Sequence, residues 1–68
     1  MYFVFAWDNE QGGGAGDLYS FSDDLQSCIE TAIELTSTER FRKTGHAFDN
    51  AHVAGLDDVH GLVIEWEK

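Results

Sequence analysis

The chain has no proline and a single cysteine, Cys28. Only four residues are Lys or Arg, against thirteen Asp and Glu. One cysteine excludes an intrachain disulfide, which fits a reducing compartment. The longest apolar run, Tyr2 to Trp7, is far shorter than the roughly 20 residues of a membrane-spanning helix. The first residues lack a basic region followed by a long apolar stretch, so no signal peptide is expected. The scarcity of cations argues against direct binding to nucleic-acid phosphates. These absences together predict a soluble, cytoplasmic protein with no membrane contact.

What is abundant is acid. The formal net charge is −9 on 68 residues. Three of the four cations, Arg40, Arg42 and Lys43, lie in one short run, so the rest of the chain is almost uniformly acidic. Self-repulsion at this charge lowers stability, while the same charge speeds encounter with basic surfaces. The chain is also 43% apolar, with two Trp, two Tyr and five Phe. A disordered acidic tail lacks such a complement of aromatics. Residues 1–68 are therefore read as one acidic folded domain. A chain this short buries only about 60% of its unfolded surface.

Tyr2-Phe3-Val4-Phe5-Ala6-Trp7 is aromatic and β-branched and apolar on both parities, which predicts a strand that is central or covered on both faces. Gly12-Gly13-Gly14-Ala15-Gly16 predicts a mobile connection. Asp17 to Phe21 predicts a short second strand, with Leu18 and Ser20 on one side and Tyr19 and Phe21 on the other. Ser22-Asp23-Asp24 has the character of a helix start. Leu25, Cys28, Ile29, Ala32, Ile33 and Thr36 then recur at helical spacing, predicting an amphipathic helix over about 23–36. Thr36-Ser37-Thr38-Glu39 has capping-box spacing. It fits a second short helix running through Lys43, and equally one longer helix ending near Gly45. Residues 50–54 predict a weak strand, 56–61 a turn and 62–67 a final strand. The last strand is expected to turn Leu62, Ile64 and Trp66 to the helix stripe of Leu25, Ile29, Ala32 and Ile33. Glu65 and Glu67 would share the opposite face. The expected fold class is α+β: a small antiparallel sheet of three to four strands, in the order β-β-α-β-β, with one helix on one face.

The strand Tyr2-Phe3-Val4-Phe5, the acidic-glycine loop ending in Asp17, Ser20-Phe21-Ser22-Asp23 opening the helix, Ala51-His52-Val53-Ala54, and the turn into Leu62-Val63-Ile64 form a pattern. It resembles small uncharacterised α+β proteins of phages and their bacterial hosts. The segment Thr36–Phe48 departs from that pattern, being longer and more basic. The resemblance implies a small α+β fold and a phage origin, and it transfers no catalytic residue.

Site chemistry is sparse. The glycine run has no following Lys with Ser or Thr, as a phosphate loop requires. His46, His52 and His60 are separated by six and eight positions, unlike the tight ligand pairs of zinc sites. Cys28 lies in the apolar stripe, where a small hydrophobe is expected rather than a nucleophile. Asp57 with Asp58, and Glu65 with Glu67, read as solvated acids. Arg40-Phe41-Arg42-Lys43 reads as balancing a helix C-terminus or pairing with nearby acids. No catalytic residue, cofactor or metal is therefore expected.

The remaining candidates are the carboxylates Asp8, Glu10, Asp17, Asp23, Asp24, Asp57, Asp58, Glu65 and Glu67, with Trp7 and Tyr19 as aromatic anchors. Duplex DNA carries one negative charge per ~1.7 Å of axis, so a comparable row of carboxylates would act as a DNA mimic. The expected function is a phage-type inhibitor that occludes a basic surface of a host nucleic-acid-handling protein. Defence nucleases, as for anti-CRISPR or anti-restriction proteins, are the first targets to consider. The alternative is an assembly subunit, a homodimer joined through a sheet edge.

Overall fold

Among the described residues, four strands and two helices follow in the order β1 (Tyr2–Trp7), β2 (Leu18–Ser22), α1 (Leu25–Leu35), α2 (Thr38–Thr44), β3 (Asn50–Asp57) and β4 (Gly61–Glu67). The computed structural model describes residues 1–10 and 17–68. The glycine run Gly12–Gly16, expected to be a mobile connection, lies outside the described residues. The sheet is antiparallel throughout, with spatial order β2-β1-β3-β4. The α+β class and the antiparallel sheet are as expected. Two details differ: there are two helices rather than one, and β1 and β3 together form the centre.

The first helix begins later than Ser22. The Asp24 side chain is its N-cap and accepts from the Gln26 N–H at 3.1 Å. Ser22 Oγ instead accepts from the Asp24 N–H at 3.1 Å, which orients the cap. Cys28, Ala32 and Leu35 recur at spacings of four and three, so they share one side of α1 and are buried. Ser37 then interrupts the helix. Its backbone is extended, and its Oγ accepts from the Arg40 N–H at 3.1 Å as the N-cap of α2. Gly45, at φ 80°, closes α2 by donating its N–H to the Phe41 carbonyl at 2.8 Å. A left-handed residue at this position favours glycine. The two-helix alternative is thus the one adopted, with Ser37 rather than Thr36 as the cap.

The core lies between α1 and one face of the sheet. Val4, Ala6, Ala51 and Val53 supply the sheet side, Cys28, Ala32 and Leu35 the helix side. Tyr2, Leu25, Ile29, Phe48 and Trp66 pack around them. The predicted core partners Leu62, Ile64 and Ile33 are not among them and are about half exposed. A bulge in the β3–β4 ladder between Val53 and Ala54 explains the first two. Val53 pairs with Trp66, but the next residue, Ala54, pairs with Ile64, so Glu65 is the extra residue. One extra residue reverses the side to which every earlier side chain points. Trp66 therefore faces α1, while Ile64 and Leu62 face away from it.

Among the described residues, no helix is long and apolar enough to cross a membrane.

Candidate functional site on the helix-free sheet face

The α1 helix has 11 residues and so spans roughly 16 Å. The molecule measures 40 × 24 × 16 Å. Among the described residues, one short helix covers one face of the sheet only in part and no element forms a second layer on the other face.

That uncovered face is built from rows that cross the strands. Phe21 pairs with Phe3, Phe3 with Ala54, and Ala54 with Ile64, so one apolar row spans all four strands. The Phe3 and Phe21 ring centroids are 6.5 Å apart. The next row runs Leu18, Phe5, His52, Glu67. Beyond the first row, Leu56 pairs with Leu62. Phe5 and Ala54 are buried, whereas Phe21 and Leu56 are more than 60% exposed. An antiparallel sheet with one solvated face normally alternates apolar inward and polar outward. Here both faces are apolar, which leaves a large apolar patch exposed on the side away from α1.

His52 sits in the middle of this face. Its ring lies 4.8 Å from Phe5 and 5.1 Å from Trp7, the latter edge-on. Burial lowers its pKa below the ordinary histidine value, and the Glu67 carboxylate opposes this. The centre of the face is therefore kept uncharged at neutral pH.

The nominated carboxylates fall mainly into two groups at opposite ends of the sheet. Asp8, Glu10 and Asp17 lie where β1 ends and β2 begins, and Asp23, Asp24, Asp57 and Asp58 where β2 and β3 end. Several have intramolecular roles. Asp8 Oδ2 is 3.0 Å from His46 Nε2, Asp23 Oδ1 is 4.0 Å from the Met1 amine, and Asp24 caps α1. Asp57 accepts from the Val59 and His60 N–H groups at 2.7 and 3.0 Å, and these bonds hold its pKa below the usual value. Glu65 and Glu67 do not share a face. Glu65 Oε1 lies over Gly55 on the α1 side, beside Tyr2, whereas Glu67 pairs with His52 on the uncovered face. The bulge separates them. The carboxylates thus frame the apolar face from its ends instead of forming one row.

The two aromatic anchors also separate. Trp7 stands on the uncovered face beside His52. Tyr19 packs edge-on against Phe48 at 6.3 Å, on the α1 side. A bulge between Val4 and Phe5 places Leu18 opposite Phe5, which breaks the expected pairing of Leu18 with Ser20 on one side. Sequence alternation missed Phe3, Phe21, Leu56, Leu62 and Ile64 as surface residues. The signal present in the sequence was the strand 2–7 being apolar at both odd and even positions.

The other candidates stay apart. Cys28 is buried, and burial followed by the nearby Asp24 charge raises its pKa. Among the described residues, no group of three His, Cys, Asp or Glu is placed to hold a metal ion. Arg40 lies over the Phe48 ring at 6.0 Å and bridges to Glu34 at 3.2 Å, while Lys43 pairs with Glu39 at 3.2 Å. Arg42 and Lys43 occupy the last turn of α2. An open depression of about 340 Å3 lies beside Thr36, Phe41, Phe48 and Lys68. Comparison with known proteins finds no matching family model, curated protein or solved structure.

Proposed function

We propose that this chain is a small acidic binding protein of the phage-encoded inhibitor type. Its uncovered sheet face would cover a surface with an apolar centre and a basic rim on a host nucleic-acid-handling protein. The observation that carries this reading is the apolar row Phe21, Phe3, Ala54, Ile64 across an unlayered sheet. Interface centres are depleted in charge and enriched in aromatics, and their rims are polar. The uncovered face has this composition, with carboxylates at both ends of the strands. The broad side of a 40 × 24 Å slab also matches the ~800 Å2 per partner of a standard interface.

Charge complementarity favours a basic partner. A net charge of −9 repels nucleic acid and accelerates encounter with Lys- and Arg-rich surfaces. The mechanism is occlusion: the apolar centre supplies affinity and the carboxylates supply steering. No step of chemistry is required. A defence nuclease, including a CRISPR-type complex, has a basic nucleic-acid groove suited to such a ligand.

The test is capture from host lysate with the tagged protein, nuclease added, at low and high salt. The same capture is run with Leu18→Ser/Phe21→Ser, two exposed changes on the uncovered face. The reading expects a basic nucleic-acid-handling protein that the wild type retains, the variant loses and salt elutes. Capture that is indifferent both to the variant and to salt between ~50 and ~200 mM would overturn it.

A further inference from the structure

We propose that β4 is a pairing edge for a second copy of this chain, joining two sheets through an antiparallel β4–β4 contact. This inference is independent of the partner proposed above and uses the backbone edge of β4, whose Ile64 also ends the apolar row of the uncovered face.

β4 is an edge strand, so one side of it presents N–H and C=O groups with no partner in the sheet. Natural edges are guarded by charge, Pro, a bulge or shortness. The second half of β4 has such guards: the bulge at Glu65 and the carboxylates Glu65 and Glu67. The first half, Gly61-Leu62-Val63-Ile64, has none. It carries no charge in a chain of net charge −9, and Leu62, Val63 and Ile64 are 53%, 37% and 49% exposed. They project on both faces of the sheet, because Leu62 and Ile64 follow Leu56 and Ala54 while Val63 follows Gly55. Val59 at the adjoining turn is 82% exposed. The first half of β4 is thus apolar on both faces of the sheet.

The stretch complements itself. A two-fold axis through Val63 sets Val63 against Val63 and Leu62 against Ile64 of the other copy. Both pairs keep their side chains on matching faces, as antiparallel pairing requires. Glu65 then falls opposite Gly61, so no carboxylate meets another in the ladder. Extension of the register brings the C-terminal Lys68 toward the Asp57–Asp58 turn of the other copy. This is an isologous contact, the kind that closes a dimer. It leaves the other edge strand, β2, untouched and makes the two uncovered faces continuous.

Sedimentation equilibrium of the full chain over the micromolar range tests this. The wild type is expected at twice the chain mass of 7.6 kDa. Val63→Lys and Val63→Glu, each placing like charges across the axis, are expected at the single-chain mass with unchanged circular dichroism. Mixing the two variants in equal amounts is expected to restore the doubled mass, because lysine then faces glutamate. Phe21→Ser, on the far edge of the sheet, is expected to keep the doubled mass. A wild type at single-chain mass throughout overturns the proposal. So does a doubled mass that survives both Val63 variants, a mixture that stays at single-chain mass, or a doubled mass that only Phe21→Ser abolishes. The last outcome would assign the contact to the broad face instead.

Discussion

Trp66 lies directly across β3 from Val53, although Glu65 would take that place in an unbroken ladder. The single residue skipped between them decides which side of β4 meets the helix. It also leaves Ile64 outside the core, on a face that no helix among the described residues covers.

Substitutions on the two sides of β4 should therefore differ sharply. Truncation of buried Trp costs about 3–5 kcal/mol, and Trp66 is partly buried. Trp66→Ala is expected to lose roughly 2–3 kcal/mol in urea unfolding at a concentration where the oligomeric state is fixed. Ile64→Ala, half exposed, is expected to lose under about 1 kcal/mol. Equal losses would contradict the bulged register.

The core is small, so its largest member carries much of the stability. Leu35 is fully buried. Leu35→Ala should cost about 2–5 kcal/mol, against a total expected near the low end of the ~5–15 kcal/mol range. Loss of the cooperative unfolding transition at ambient temperature is the expected outcome. A folded variant with a midpoint close to wild type would show that α1 is not the principal cover of the core.

Acid should weaken the fold through His52. Its folded pKa lies below the ordinary value of 6.5 because burial disfavours the imidazolium. Between the two values the unfolded chain holds more protons, so stability rises with pH. The contribution is complete above about 6.5 and is lost as pH falls through the folded pKa. Asp57, with a lowered pKa, acts in the same direction but only below its ordinary 3.8. Thermal midpoints measured from about pH 8 down to about pH 5 should fall for wild type. They should fall less for His52→Phe, which keeps a ring beside Phe5 and Trp7. Identical slopes would remove His52 from the account.

Cys28 should report on unfolding. Its thiol is buried and its pKa is raised by burial and by Asp24, so the reactive thiolate is both scarce and shielded. Alkylation is expected to be slow in buffer and to accelerate with urea in parallel with the loss of circular dichroism. A native rate like that of a free thiol would mean that α1 opens independently of the sheet.

Much of the fold was legible in the residues. The aromatic run 2–7, the helical spacing of Cys28 and Ala32, and the alternation 62–66 each specify a local element by periodicity. These are short-range properties, set by backbone geometry and by the need to bury one side. The choice between one helix and two was not legible. Ser37 and Thr36 both suit a cap, and the tertiary contact that seats Phe48, whose N–H donates to the Leu35 carbonyl at 2.9 Å, sits with the break at Ser37. The candidate site was legible only as excess acid and excess apolar content. Its location depends on two bulges, one beside Phe5 and one at Glu65.

By itself, the sequence determined the class of elements, their order and the net acidity. The tertiary structure alone decided which apolar residues are covered. A strand pattern with period two states that two faces differ, but a one-residue slip exchanges them. Only the pairing of β4 with β3 settles that Trp66 is core and that Leu62 and Ile64 are surface.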